Sequence, residues 1–283
     1  MIEKVVVIGA GTMGHGIAQL AAAAGCQVAL HDIRVELIEK GLARVRENVE
    51  KAVGKGKMKP EEKEALLTRL RPAEELSGAV LDADLVIEAA PERVDLKREL
   101  AQACFAAKPS ILFATNTSSL PVTAIAAGTR HPDRVIGMHF FNPPHLMKLV
   151  EIVVAEQTAP ATVEEIARLA TRMGKTVIRV KDSPGFATSR LGVLLGLEAI
   201  RMLETGVASA EDIDRAMEVG YNHPMGPLRL TDLVGLDVRL AIAEHLHEEL
   251  GEQFRPPPLL RRMVRAGKLG KKAGQGFYRW EEE

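Results

Sequence analysis

The sequence predicts an α/β N-terminal domain followed by an all-α C-terminal one, and three observations carry that prediction. Short runs of β-branched and aliphatic residues recur up to Val180, several of them followed by a helical pattern, as a parallel sheet with crossover helices requires. The first of these runs leads into three closely spaced glycines and an Ala-rich helix. Beyond Lys181-Asp182-Ser183-Pro184-Gly185 no strand pattern recurs, and the boundary is set there, giving domains 1–183 and 184–283.

The first run is Val5-Val6-Val7-Ile8, apolar on every side and suited to a strand buried on both faces. Gly9, Gly11 and Gly14 then make G-x-G-x-x-G, with Thr12 and Met13 inside the turn and a helix from about Met13 to Ala24. Gln27 to Leu30 reads as the next strand, and Asp32 stands at its end. Gly9 supplies a tight turn, Gly11 lets backbone approach a pyrophosphate, and Gly14 lets the helix lie against the strand, with the helix N-terminus facing the anion. Asp32 follows at the spacing of roughly 20 residues expected for a carboxylate that accepts from a ribose 2′-hydroxyl. The stretch reads as a Rossmann-type dinucleotide site, and the carboxylate favours NAD, because it would repel a 2′-phosphate; Arg34, two residues on, leaves an opening for NADP.

Val5 to Leu30 carries no charged residue and is long enough to suggest a membrane span or a leader. Its glycines, His15, Gln19 and Gln27, and its switch from strand-like to helix-like periodicity, argue against both. The 37 basic and 38 acidic residues nearly cancel, so neither nucleic acid nor a membrane surface is expected as a partner. Cys26 and Cys104 are two isolated thiols in apolar surroundings and make neither a disulfide framework nor a metal site; the expectation is a cytoplasmic protein with no metal.

Val35 to about Val53 and Glu61 to Leu70 read as two helices joined by a loop ending at Pro60, a helical-hairpin insertion that projects from the domain. Lys51, Lys55, Lys57 and Lys59 give it a basic tip, either a solvated helix end or a contact for the phosphates of a large anionic substrate. Leu85 to Ala89 is a buried strand, with a helix from about Arg93. Glu92 sits between them, to touch the cofactor or to cap that helix, and Lys97 is also placed at the cofactor. Ile111 to Ala114 is a strand that delivers Asn116 and Ser118 at its carboxyl end, where ligands bind in open α/β sheets; a local Asn/Ser turn is the alternative. Arg134 to Phe141 and Leu146 to Val154 are two further strands broken by Asn142-Pro143-Pro144. They set His139 opposite Glu151, the elements of an oriented general base.

Thr162 to Met173 reads as a helix and Thr176 to Val180 as the last strand. Phe186 to Glu204 is a long, apolar helix, and Ser209 caps another with Asp212 as its partner. Helices follow over Pro227 to Val234, Asp237 to Leu250 and Pro257 to Ala266. A helix as apolar as that over Phe186 to Glu204 buries part of itself against a second subunit, so a homodimer is expected.

GAGTMGHGIA, NTSSL, HFFNPP followed by MKLVEIV, KDSPGF, PMGPLRLTDLVGLDV and GKKAGQGFY occur in that order between Lys4 and Tyr278. Together they resemble the short-chain L-3-hydroxyacyl-CoA dehydrogenases, above all the bacterial 3-hydroxybutyryl-CoA dehydrogenases. The resemblance implies an NAD-binding domain, a helical C-terminal dimerisation domain and an acyl-CoA substrate. It implies His139 as catalytic base, Glu151 as its paired carboxylate and Ser118 as the serine bonding the substrate oxygen. Where the family carries PGF-x-x-N-R, this chain has Ser189 in place of Asn, a shorter side chain with one hydroxyl. Two rivals stand beside this reading: a dehydrogenase of free sugar acids of the gulonate type, which shares HFFNPP, and a crystallin-like protein that keeps the NAD fold without catalysis.

Overall fold

The computed structural model describes residues 1–280 and falls into two compact units, Met1–Ser183 and a second beginning at Pro184. In the first, β1 (Lys4–Ile8), β2 (Gln27–His31), β3 (Leu70–Ala73), β4 (Leu85–Glu88), β5 (Leu112–Thr115), β6 (Val135–Phe140), β7 (Leu149–Val154) and β8 (Thr176–Lys181) form one sheet in the order β3-β2-β1-β4-β5-β6-β7-β8. Strands β3 to β6 in that order run parallel; β7 pairs antiparallel to β6, and β8 parallel to β7. The chain leaves β1 for β2 on one side and returns to β4 on the other, so the carboxyl end of β1 is the switch point where open α/β sheets bind ligands.

The apolar runs fold as strands because both faces are covered. Val5, Val7, Leu30, Leu85 and Ile87 on the central strands are essentially inaccessible to water. Helix α1 (Gly14–Ala23) supplies Ile17, Ala18 and Ala21 to the same core. Small side chains let it approach the sheet closely.

The hairpin of α2 (Val35–Gly54) and α3 (Pro60–Leu67) is anchored more deeply than expected. Ile38, Leu42, Val45 and Val49 share one face of α2 and join the core with Leu66 of α3. Only the tip stands out: Lys51, Lys55 and Lys57 are exposed. The second helix also ends three residues earlier than its sequence suggests. Leu70 opens β3, which pairs with β2 from Val28↔Leu70 to His31↔Ala73 and is followed by α4 (Leu76–Leu81). Pro72 argues against a strand by composition, yet β3 lies at the sheet edge, where a missing N–H costs nothing. Helix α5 (Val94–Ala107) and the short α6 (Val122–Ala126) flank β5, and α7 (Pro160–Arg172) links β7 to β8.

The second unit holds α8 (Thr188–Glu204), α9 (Ala210–Gly220), α10 (Pro227–Val234), α11 (Leu236–Leu250) and α12 (Pro258–Arg265), with no strand element among the described residues. Its own core gathers Val193, Leu197, Ile200, Leu228, Leu246 and Leu260. Helix α8 starts later than Phe186 because Gly185 and Phe186 take left-handed φ values of 73° and 50°. That costs a bulky residue such as Phe186 free energy and holds the preceding loop out of the helix. Ser209 caps α9 as expected, accepting from the Asp212 N–H at 3.1 Å. The closing GQGFY segment is pinned by the fully buried Asp232, which accepts from the Phe277 and Tyr278 N–H groups and from Trp280 Nε1. No helix among the described residues is long and apolar enough to cross a membrane.

Candidate active site

The glycine turn is built by what its residues lack. Gly9 has φ 94° and a methyl group there would lie 2.6 Å from the Ala89 carbonyl oxygen; at Gly14 it would overlap the carbonyl of Gly9. At Gly11 a methyl would meet nothing within 4 Å. Gly9 and Gly14 are thus demanded by the fold, whereas Gly11 leaves open space where an outside group can approach. Thr12 is exposed and Met13 half-buried at the start of α1, whose N-terminus carries no side-chain cap. Asp32, just past β2, accepts from the Ala10 N–H at 2.8 Å through one oxygen and from the Ile33 N–H at 2.8 Å through the other. It therefore braces the glycine turn while standing half-buried at its rim. A backbone cradle at a helix N-terminus with a carboxylate beside it fits the diphosphate and ribose of a dinucleotide.

The loops after β4 and β5 are tied together by charge. Glu92 does not cap α5, the role its position allowed. Its Oε1 instead accepts from Thr117 Oγ1 at 2.6 Å and from the N–H groups of Ser118 and Ser119 at 2.9 and 3.2 Å. Burial pushes the Glu92 carboxyl up, but the Lys97 ammonium, the Thr117 hydroxyl and these two amides outweigh it and hold it below its ordinary value. Lys97, expected at the cofactor, is fully enclosed. Its Nζ donates to Glu88 Oε1 at 2.8 Å and to the Ala90 carbonyl at 3.2 Å, and lies 3.4 Å from Glu92 Oε2. A buried ammonium must find acceptors inside the protein, and these three place it behind the loops. Glu88 is equally buried and also accepts from Thr115 Oγ1 at 2.6 Å. Asn116 is more than a local turn, for its Oδ1 accepts from the Phe140 N–H at 2.9 Å and ties the end of β5 to β6.

On β6 and β7 the register sets His139 directly opposite Glu151. Both are buried, and His139 Nδ1 lies 2.7 Å from Glu151 Oε2. A carboxylate at Nδ1 selects the tautomer with the proton there, which makes Nε2 the basic nitrogen of the neutral ring. The Phe141 ring packs 4.5 Å from the imidazole. Beyond it the Asn142–Pro143 bond is cis, and Lys175 Nζ donates to the carbonyls of Pro144 and Met147, both at 2.6 Å. Burial pulls the Lys175 ammonium below the usual lysine range. Glu88, Thr117 and Lys175 all support these loops. No local pattern in the sequence marks them, because their partners lie on other elements. Ser189 is half-buried in the first turn of α8, and Ser118 is partly exposed in the loop after β5.

A doubly wound sheet, a glycine cradle with Asp32 at its rim and a buried histidine–carboxylate pair define an NAD-dependent oxidoreductase. Residues 4–183 match the NAD-binding domain of 3-hydroxyacyl-CoA dehydrogenase, and residues 185–280 match the C-terminal domain of the same family. The chain is 46% identical to a probable 3-hydroxybutyryl-CoA dehydrogenase of Bacillus subtilis, covering 100% of this chain and 99% of the relative. It is 44% identical to the 3-hydroxybutyryl-CoA dehydrogenase of Mycobacterium tuberculosis, covering 98% of each. The solved (S)-3-hydroxybutyryl-CoA dehydrogenase of Ralstonia eutropha superposes with a TM-score of 0.96 at 40% identity, over 100% of both chains. The chain belongs to the 3-hydroxyacyl-CoA dehydrogenase family. Neither the sugar-acid rival nor the non-catalytic one is favoured by these likenesses.

Proposed function

We propose that this protein interconverts L-3-hydroxybutyryl-CoA and acetoacetyl-CoA, with His139 as general base oriented by Glu151. The observation that carries the proposal is the buried 2.7 Å contact between Nδ1 and Oε2, fixed by strand register. NAD, when bound, supplies the hydride acceptor. Nε2 of neutral His139 takes the substrate hydroxyl proton, Glu151 stabilises the resulting imidazolium, and the Ser118 hydroxyl holds the substrate oxygen. In reduction the imidazolium returns the proton. Ser189 assists from α8 with a shorter reach than an amide would have. Gly9, Gly11, Thr12, Met13 and Gly14 receive the diphosphate, and Asp32 the ribose. Glu92 and Asn116 line the nicotinamide side, and Lys51 and Lys55 at the hairpin tip attract the phosphates of coenzyme A.

Residues 1–183 form the NAD-binding domain in this reading, and residues 184–283 the substrate and dimerisation domain of a cytoplasmic homodimer. Support for the dimer lies on the helices of the second unit. Leu191 and Leu194 on α8 and Val238 on α11 are exposed. Beside Gly192, Arg239 is nine-tenths buried, its Nε has no hydrogen-bond partner among the described residues, and burial draws its guanidinium down to about 10. A second copy would cover the apolar side chains and offer an acceptor to that cation. Leu191→Glu is expected to halve the mass found by light scattering; an unchanged mass would remove α8 from the contact.

The activity is tested by following NADH oxidation with acetoacetyl-CoA beside acetoacetate. Turnover with the thioester alone is expected. Equal turnover with both would contradict the acyl-CoA assignment.

A further inference from the structure

The Ser118 loop is held by a chain of contacts that starts deep in the sheet. Glu88, at the end of β4 and inaccessible to water, accepts from Thr115 Oγ1, from the Ala90 N–H and from Lys97 Nζ at 2.6, 2.6 and 2.8 Å. Lys97 in turn faces Glu92 Oε2. The other Glu92 oxygen gathers the Thr117 hydroxyl and two successive loop amides, one of them that of Ser118. Thr117 is 1% exposed, and its Oγ1 also accepts from the Leu120 N–H at 2.9 Å and the Ser119 N–H at 3.3 Å. One hydroxyl thus joins the carboxylate to the turn on both sides of Ser118. Among the described residues, the Ser118 side chain makes only a long contact, 3.4 Å from Oγ to Glu92 Oε1. Its own bonding is too weak to aim it, so the aim of its hydroxyl is set by the backbone around it.

We infer that Thr117, held by the Lys97–Glu92 ion pair, is a positioning residue that aims the Ser118 hydroxyl at the substrate oxygen. This rests on the proposed role of Ser118. Thr117 touches neither substrate nor cofactor in this account. Removing its hydroxyl releases the shortest bond to Glu92 and leaves the Leu120 N–H without its acceptor, so the turn relaxes around Ser118. Displacing a reacting group by about 1 Å costs on the order of a hundredfold in rate, and a smaller relaxation costs less.

The test is a mutant cycle with acetoacetyl-CoA and NADH, with NADH affinity measured separately by fluorescence. Thr117→Val keeps the shape and removes the hydroxyl; it is expected to lower kcat by about tenfold or more while NADH affinity stays within about threefold. Thr117→Ser keeps the hydroxyl and is expected to stay within about threefold of the parent. In a Ser118→Ala background, Thr117→Val is expected to add less than about twofold. If valine prevents folding, Thr117→Ala takes its place in the same cycle. A slow Ser118→Ala beside a fully active Thr117→Val overturns the inference alone. So does a serine variant as slow as the valine one, or a full tenfold loss in the Ser118→Ala background. A fully active Ser118→Ala overturns the role of Ser118 itself.

Discussion

The turn after β1 and the β6–β7 pair lie in one sheet, but they are built on opposite principles. The turn is made of backbone: Gly9 and Gly14 are needed because a methyl has no room, whereas at Gly11 a methyl would meet nothing within 4 Å. The β6–β7 pair is made of side chains. His139 and Glu151 are separated along the chain and meet only because antiparallel register sets them opposite each other. A binding cradle can therefore be specified by a short local stretch, whereas a buried acid–base pair needs two strands, their register and the loops that brace them.

The comparison breaks most visibly at His139. His139→Gln is expected to lower turnover by about 10²- to 10⁴-fold with NADH affinity nearly unchanged, since the cradle is independent of the imidazole. Normal turnover would remove His139 from the mechanism. The glycines separate fold from binding. Gly14→Ala forces a methyl into the Gly9 carbonyl, so a loss of several degrees in Tm and of NADH binding is expected. Gly11→Ala is expected to keep the parental Tm while NADH affinity drops by about tenfold or more. Equal Tm losses for the two would show that Gly11 is a packing residue. Asp32→Ser, read as the ratio of NADH to NADPH efficiency, is expected to move that ratio toward NADPH by about tenfold; an unchanged ratio would exclude Asp32 as the discriminating carboxylate.

Two smaller effects sharpen the picture. Glu92 is held below its ordinary value, so its contribution to stability is fully present above the unfolded carboxylate range. It fades as pH falls through the lowered folded value. The Tm difference between the parent and Glu92→Gln is expected to be constant above about pH 5 and to narrow below about pH 4.5. A gap that widens on acidification would contradict the loop-anchoring role. Ser189→Asn restores the longer amide and is expected to raise kcat/KM with acetoacetyl-CoA by only a few fold.

Much of this was legible in the sequence, and the remainder was hidden for physical reasons. Buried parallel strands announce themselves because both faces are apolar, so β1, β2, β4 and β5 could be read directly. Strand β3 could not, for its LRPA is largely exposed and contains Pro72; only its pairing with β2 makes it a strand. The start of α8 was displaced by the left-handed pair Gly185-Phe186, since nothing in a phenylalanine signals positive φ. His139 and Glu151 stood out because each is the one ionisable residue in an otherwise apolar strand, beside a Pro-containing turn. Glu88 and Thr117 did not, and Lys97 was expected at the cofactor instead of behind the loops, because a glutamate ending one strand, a lysine in a helix and a threonine in a turn acquire their meaning only when tertiary contact brings them together.

The proposed mechanism requires His139 and Glu151 to act as one unit, and a double-mutant cycle on kcat for acetoacetyl-CoA reduction tests this most directly. His139→Gln and Glu151→Gln are each expected to be slow, and the combined variant no slower than His139→Gln alone, because a carboxylate that acts through the imidazole has nothing left to orient. Losses that multiply in the double variant would show two independent contributions and would contradict the pair as the acid–base centre.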